Sequence, residues 1–312
     1  MQITRKEYSF PSKSGLADIF ARAWIPDSGV KAVFQIVHGM AEHGERYEEF
    51  AAHLCAEGFA VYCSDHLGHG KSVKSDADLG YFGEKDGWNN FIEDARTLTE
   101  LAAKENPDLP IIFFGHSMGS FVAREYASRY GNDTRIKGFV FCGTSGANPA
   151  APAGKLLANT VASIKGSRHQ SKLINGVAFG PYNAKIKPAR TAFDWLTREN
   201  FIVDRYVADK YCGFLFTATG YRDLFTLLAR VSEKQWYQSL NKSMPVLVIS
   251  GAMDPVGAYS KGVQQVYNDL KGANVSDATL KLYDGCRHEI LNELNRNDVY
   301  ADIAAWALSK IK

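Results

Sequence analysis

Ile111-Ile112-Phe113-Phe114-Gly115-His116-Ser117-Met118-Gly119-Ser120 is the stretch whose reading decides the fold. Four apolar residues with the look of a buried strand run into Gly-x-Ser-x-Gly. A helix-like pattern follows at once, with Phe121, Val122 and Tyr126 on one face and Gly131 closing it. A strand that turns this tightly into a helix leaves no room for side chains at the flanks, which explains glycine at 115 and 119. The same turn forces Ser117 into a strained backbone conformation, its hydroxyl exposed at the strand's C-terminal edge. The pentapeptide alone is a weak signal in a chain with 27 glycines. The strand before it and the helix after it make it a nucleophile elbow.

Strand-like and helix-like segments alternate on both sides of this turn. Tyr8 to Phe10 and Ala17 to Trp24 read as an antiparallel pair, with Pro26-Asp27 as a turn. Ala32 to Val37 reads as a buried strand. Tyr47 to Glu57 reads as a helix with Phe50 and Leu54 inward, stopped by Gly58. Phe59 to Cys63 is the next strand, and a loop rich in Gly, Asp and Lys runs to about Asp86. Trp88 to Lys104 is amphipathic, with Phe91, Ile92, Ala95, Leu98 and Ala102 on one face, and Asn106-Pro107 ends it. Gly138 to Cys142 is another buried strand. This rhythm predicts a mostly parallel sheet with helices on both faces.

The rhythm breaks between about Gly146 and Ser239, where helix-like pieces such as Leu224 to Val231 occur without a convincing strand. It resumes with Val246 to Ile249, a helix carrying Val263, Val266 and Leu270, the strand Leu280 to Tyr283, and a closing helix from near Asp298. The expected organisation is a core of residues 1–145 and 240–312 with an inserted, mainly helical lid at 146–239.

Composition is that of an ordinary globular protein, with 46% hydrophobic and 22% charged residues over 312 positions. A formal charge of +2 with no basic run among aromatics gives no reason to expect a nucleic-acid partner. Met1 to Tyr8 lacks the apolar core of a secretory signal. No apolar run approaches the ~20 residues that cross a bilayer. Cys55, Cys63, Cys142, Cys212 and Cys286 form no Cys-x-x-Cys pair, so reduced thiols in a cytoplasmic protein are expected.

A serine nucleophile needs a base, and the base needs an acid to orient it. Both belong on loops at strand C-termini. Asp254 lies just past Val246–Ile249 and His288 just past Leu280–Tyr283, in the order Ser…Asp…His. His288 would take the Ser117 proton and return it to the leaving group, while Asp254 holds the imidazole tautomer. His43, His66, His69 and His116 are rival bases, and Asp284 or Glu289 a rival acid. Strand-end position favours Asp254 and His288. The oxyanion needs backbone donors, assigned to Met118 at the helix N-terminus and to Met40 in the loop after Val37.

These residues carry a family resemblance. His38-Gly39-Met40-Ala41-Glu42-His43-Gly44-Glu45-Arg46-Tyr47 resembles the His-Gly-x-x-Glu-His-x-x-Arg-Tyr signature of monoacylglycerol lipases and bacterial lysophospholipase-like α/β hydrolases. Asp65-His66-Leu67-Gly68-His69-Gly70-Lys71-Ser72 resembles their Asp-x-x-Gly-His-Gly-x-Ser loop. Gly115 to Gly119 and Arg287 to Glu293 resemble their elbow and histidine loop. Phe193 to Leu196 and Tyr206 to Asp209 are similar to pieces of the bacterial branch. Ala41 stands where the lipases commonly carry glycine. The resemblance implies an α/β-hydrolase fold with a helical lid, and esterase or lipase chemistry on apolar acyl groups.

Other chemistries fit less well. A P-loop ending at Gly70-Lys71-Ser72 needs glycine at position 65, where Asp65 stands. His38, Glu42 and His43 lack either zincin spacing, and His66 with His69 lacks a third ligand, so no metal or organic cofactor is expected. An amidase or aminopeptidase could use the same triad. A non-catalytic binding protein on this scaffold is the reading from another class.

In the lid, Lys155, Lys165, Arg168, Lys172, Lys185, Lys187, Arg190 and Arg198 outnumber Asp194 and Glu199. They suggest either a solvated surface or peripheral contact with anionic lipid. Phe179, Tyr182, Phe193, Trp195, Phe201, Phe214 and Phe216 are candidates for an acyl tunnel. Oligomeric state is open.

Overall fold

The computed structural model describes residues 2–311. β1 (Ile3–Pro11) and β2 (Asp18–Pro26) form the antiparallel pair, and β3 (Ala32–Val37) follows. α1 (Glu48–Ala56), β4 (Phe59–Ser64), α2 (Gly87–Glu105) and β5 (Ile111–His116) lead to the elbow. α3 (Met118–Tyr130) and β6 (Ile136–Cys142) complete the first half. Gly58, at φ 94°, takes the left-handed turn that ends α1.

The segment between β6 and β7 holds α4 (Ala151–Lys165), α5 (Lys172–Phe179), α6 (Asn200–Ala208), α7 (Ala218–Ser232) and the single turn α8 (Gln235–Gln238). β7 (Val246–Gly251), α9 (Lys261–Gly272), β8 (Ala278–Tyr283) and α10 (Arg296–Lys310) close the chain.

The sheet runs β1-β2-β4-β3-β5-β6-β7-β8, antiparallel at its first two pairings and parallel from β4 onward. β3, β4, β5 and β7 are buried at every residue, because helices cover both faces. Their side chains alternate between two hydrophobic layers. Phe113 and Phe139 pack on one face with α2 and α3, while Phe34, Phe114 and Val140 pack on the other with α1 and α10.

From β3 the order proceeds to β4 on one side and to β5 on the other. That reversal is the crevice where open α/β sheets bind ligands, outside the strand C-termini. The loops after β3 and β5 flank it. Part of the insertion is continuous with the core, since Leu224, Leu227 and Val231 of α7 share the layer of Phe121 and Val122.

Candidate active site

Ser117 occupies the turn between β5 and α3 at φ 53° and ψ −120°, a region that costs a non-glycine residue about 1–3 kcal/mol. Its backbone N–H donates to the Cys142 carbonyl at 2.9 Å, which anchors the elbow to β6. A Cβ on Gly115 would sit 2.2 Å from the Gly119 carbonyl oxygen, and one on Gly119 would sit 2.2 Å from that of Val37. Both glycines are therefore demanded by backbone contact.

Asp254 is fully buried in the loop after β7. Its Oδ2 accepts from His288 Nδ1 at 2.9 Å and from Ser250 Oγ at 3.1 Å, and its Oδ1 accepts from the Val256 N–H at 2.8 Å. A Cβ on Gly251 would lie 2.1 Å from the Arg287 carbonyl oxygen, so the loops after β7 and β8 are in backbone contact. The His288 ring is 4.8 Å from that of His116 and 5.1 Å from that of Trp195. Sequence reasoning named Asp254 and His288, and Trp195 as an acyl-tunnel candidate, but missed Ser250 and Val256 as partners of Asp254 and the contact of Trp195 with His288. Nothing periodic marks those contacts.

All the rivals but Asp284 are occupied elsewhere. His116 Nδ1 lies 3.3 Å from Glu42 Oε1. His43 Nε2 lies 2.8 Å from Asp209 Oδ2. Asp284 is exposed. Glu289 takes a bidentate bond from Arg46 at 2.7 and 2.8 Å. Burial opposes the charge of Glu42, but Arg46 and His116 overcome it and hold this carboxyl well below its usual range. Burial, the largest effect, likewise opposes a charged His116, and the Glu42 hydrogen bond together with the charges of Glu42, Glu289 and Asp254 outweighs it and raises the imidazole.

The loop after β3 is held from outside as well. Ala41, at φ 50°, sits in a left-handed conformation that glycine adopts without strain. Its carbonyl accepts from the Tyr206 hydroxyl and from the Gly213 N–H, both at 2.9 Å. The insertion thus grips this loop directly. Asp65, in the second motif, is structural. Its carboxylate accepts from Arg22 and from the Gly44 and Lys71 N–H groups at 2.9–3.0 Å.

Gly39, Met40, Ser117, Met118 and His288 all line one cavity of about 870 Å³ between the strand ends and the insertion. That volume suits a ligand of small-lipid size. Phe179, Tyr182, Phe193, Trp195 and Phe214 line it, joined by Leu157, Leu224, Phe225 and Leu228, which the sequence did not single out. Phe201 and Phe216 do not. Phe201 is 64% exposed on α6. Phe216 is buried among His69, Phe82 and Tyr221, where aromatic contacts use its faces. The insertion's basic surplus is smaller than its composition suggests. Arg168, Arg190 and Arg198 pair with Asp78, Asp204 and Glu293 at 2.6–2.8 Å.

Beneath the loop after β3 lie His38, His66 and His69, all buried. Burial pushes His66 down to about 4 and His69 to about 3, and holds His38 well below the usual histidine range. The unfolded chain protonates these groups near pH 6.5 and the folded one only below that. Their contribution is therefore complete above pH 6.5 and lost as pH falls toward the folded values. Asp94 and Asp223, pushed up to about 6 by burial, act oppositely between pH 6 and 4 and offset part of the slope. His116 is raised and changes nothing below 6.5. The expected result is a Tm that declines steadily from pH 6.5 toward 4. A flat Tm over pH 6.5–5 in scanning calorimetry would contradict it.

Among the described residues, His43, Asp209 and Cys212 are the one cluster close enough to share a metal ion. The His43–Asp209 hydrogen bond already satisfies two of the three. All five cysteines are buried and unpaired. Among the described residues, no helix is long and apolar enough to cross a membrane.

Comparison with known proteins agrees with the fold. The chain is 29% identical over 314 residues to a monoacylglycerol lipase of Mycolicibacterium smegmatis, with 99% of each chain covered. It is 28% identical over 296 residues to human monoglyceride lipase, covering 92% of this chain and 86% of that one. A thermostable carboxyl esterase from Bacillus coagulans, solved in complex with glycerol, superposes over the whole of both chains with a TM-score of 0.92 and 29% identity. The architecture is the α/β-hydrolase fold. A family model described as serine aminopeptidase, S33, matches residues 28–295, and the chain belongs to that family.

Proposed function

We propose that this protein hydrolyses carboxylic esters with an apolar acyl group, of the monoacylglycerol or lysophospholipid type, through an acyl-enzyme on Ser117. The observation that carries the reading is one cavity in which a strained serine, a carboxylate-bound histidine and an apolar wall meet. Ser117 Oγ attacks the ester carbonyl while His288 Nε2 takes its proton, and Asp254 holds Nδ1–H and stabilises the imidazolium. The Met40 and Met118 N–H groups receive the oxyanion, at the N-terminus of α3 where negative charge is favoured. His288 then protonates the departing alcohol, and a water deprotonated by the same imidazole releases the acid. Apart from the hydrolytic water, every step uses groups of this chain, and none calls for a cofactor.

An ester is favoured over a peptide with a free amino terminus. Recognition of an ammonium group needs an uncommitted carboxylate, and the cavity's two acidic residues are both engaged. Glu42 is bonded to the Gly39 N–H, Tyr47, Arg46 and His116. Glu289 is bonded to Arg46 and Asn292.

Residues 146–239 act in this reading as the lid. Leu156 and Ile164 on α4, and Leu173 and Val177 on α5, are 63–76% exposed beside Lys165 and Lys172. Such a face suits contact with an anionic lipid surface. The unpaired thiols suit a cytoplasmic setting.

A chain-length series of nitrophenyl esters tests the reading. Each buried methylene is worth ~0.8 kcal/mol, so kcat/KM is expected to climb by roughly up to fourfold per methylene until the cavity fills. Leu156→Asp with Ile164→Asp should slow turnover of monoacylglycerol in anionic vesicles and spare the dissolved esters. A preference for acetyl over octanoyl, or good turnover of aminoacyl nitroanilides, would overturn the substrate class.

A further inference from the structure

The loop that carries Met40 is held at both ends of one residue. Gly39 donates its N–H to Glu42 Oε1 at 2.6 Å, and its carbonyl oxygen lies 2.8 Å from His38 Nδ1. A Cβ on Gly39 would come within 2.7 Å of that same Glu42 oxygen and 3.2 Å of the Ser117 Cβ, so the loop lies tight against the elbow.

The state of His38 follows from its other nitrogen. Nε2 accepts from the His66 N–H at 2.9 Å and so carries no proton. The proton is therefore on Nδ1, which donates to the Gly39 carbonyl. His38 is fully buried and stands behind the loop, outside the wall of the cavity. The His66 ring is fastened too, its Nε2 donating to the His38 carbonyl at 3.0 Å. Burial also holds the His38 imidazole neutral.

In a trans peptide the carbonyl and the following N–H point in opposite directions. A Gly39 carbonyl drawn back onto His38 therefore turns the Met40 N–H forward into the cavity. No protein acceptor meets that N–H among the described residues. We propose that His38 is a positioning residue for ester hydrolysis, which fixes the Gly39–Met40 peptide plane so that the Met40 N–H is aimed at the oxyanion before substrate arrives. This rests on the reading of Ser117 and Met40 given above. Preset donors matter because a hydrogen bond that must reorganise during the reaction contributes less to the transition state.

Two isosteres separate positioning from packing. His38→Asn sets an amide N–H where Nδ1 stands and loses the acceptor for His66. His38→Gln can keep an acceptor near Nε2 and loses the donor to Gly39. Each leaves one buried partner unmatched, so their losses of Tm should be similar. The expected result is that His38→Gln lowers kcat by on the order of 10- to 100-fold with little change in KM. It should weaken a trifluoromethyl ketone inhibitor in the same proportion, while His38→Asn stays within a few-fold of the parent. Equal loss in both variants, or no loss in His38→Gln, overturns the proposal.

If either variant fails to fold, 15N-histidine spectra of the unaltered protein decide. They should show His38 as the Nδ1–H tautomer, and the Nε2–H tautomer would overturn the proposal. Fluorophosphonate labelling of the unaltered protein separates the two levels. Without labelling at Ser117 the parent reading falls, and with labelling intact the His38 results bear on this proposal alone.

Discussion

Ser117→Ala is expected to abolish covalent labelling by a fluorophosphonate and to lower ester turnover by on the order of 10⁴-fold or more. The size of the effect follows from the elbow's geometry. Ser117 holds a positive φ in a turn where Gly115 lies against the Gly119 carbonyl and Gly119 against the carbonyls of Val37 and His38. That strain is maintained by the surrounding sheet and does not depend on the hydroxyl. Alanine should therefore be accepted with an unchanged Tm, and the loss is chemical. Residual turnover would come from the oxyanion donors and the apolar cavity acting without a nucleophile. Mass spectrometry of the labelled protein checks the site. Equal labelling of the alanine variant would move the nucleophile elsewhere, and an unlabelled parent would favour a binding protein on a hydrolase scaffold.

Where the chain could be read in advance, one short segment carried its own explanation. Ile111 to Gly119 states a strand, a turn and a helix start in consecutive residues, and each glycine has a local steric reason. β3 was legible to the residue because a six-residue run with five apolar side chains, bounded by turn signals, has few other uses. Asp254 and His288 were legible because parallel strands deliver their C-terminal loops to one edge. What was not legible depends on partners far apart in the chain. The Arg46–Glu289 pair spans 243 positions, and no spacing announces it. Trp195 packs against His288, its ring tilted at 42°, because the insertion folds back over the strand ends. Phe216 and Phe214 are two residues apart and resemble each other, yet only Phe214 lines the cavity. Propensity distinguishes a helix from a strand, but which side of the insertion meets the core is set by packing.

Asp254→Asn is expected to leave the fold in place and lower kcat by about 10⁴-fold with a small change in KM. The three bonds of the carboxylate decide which way the amide turns. Oδ1 accepts from the Val256 N–H at 2.8 Å, and an amide NH₂ placed there would set donor against donor. The amide oxygen therefore takes that position, and the NH₂ takes the place of Oδ2. There it faces His288 Nδ1 and Ser250 Oγ. The serine hydroxyl can rotate to accept, but the imidazole can accept only by moving its proton to Nε2. That is the nitrogen that must receive the Ser117 proton, so the base is blocked while its position is kept. The stability cost is about 1–3 kcal/mol, the range for one mismatched buried hydrogen bond. Fluorophosphonate labelling should slow in proportion to kcat, because both reactions need the same proton transfer. Unchanged turnover would assign the orienting role to Asp284 or Glu289. The exposure of Asp284 and the bidentate hold of Arg46 on Glu289 argue against that outcome.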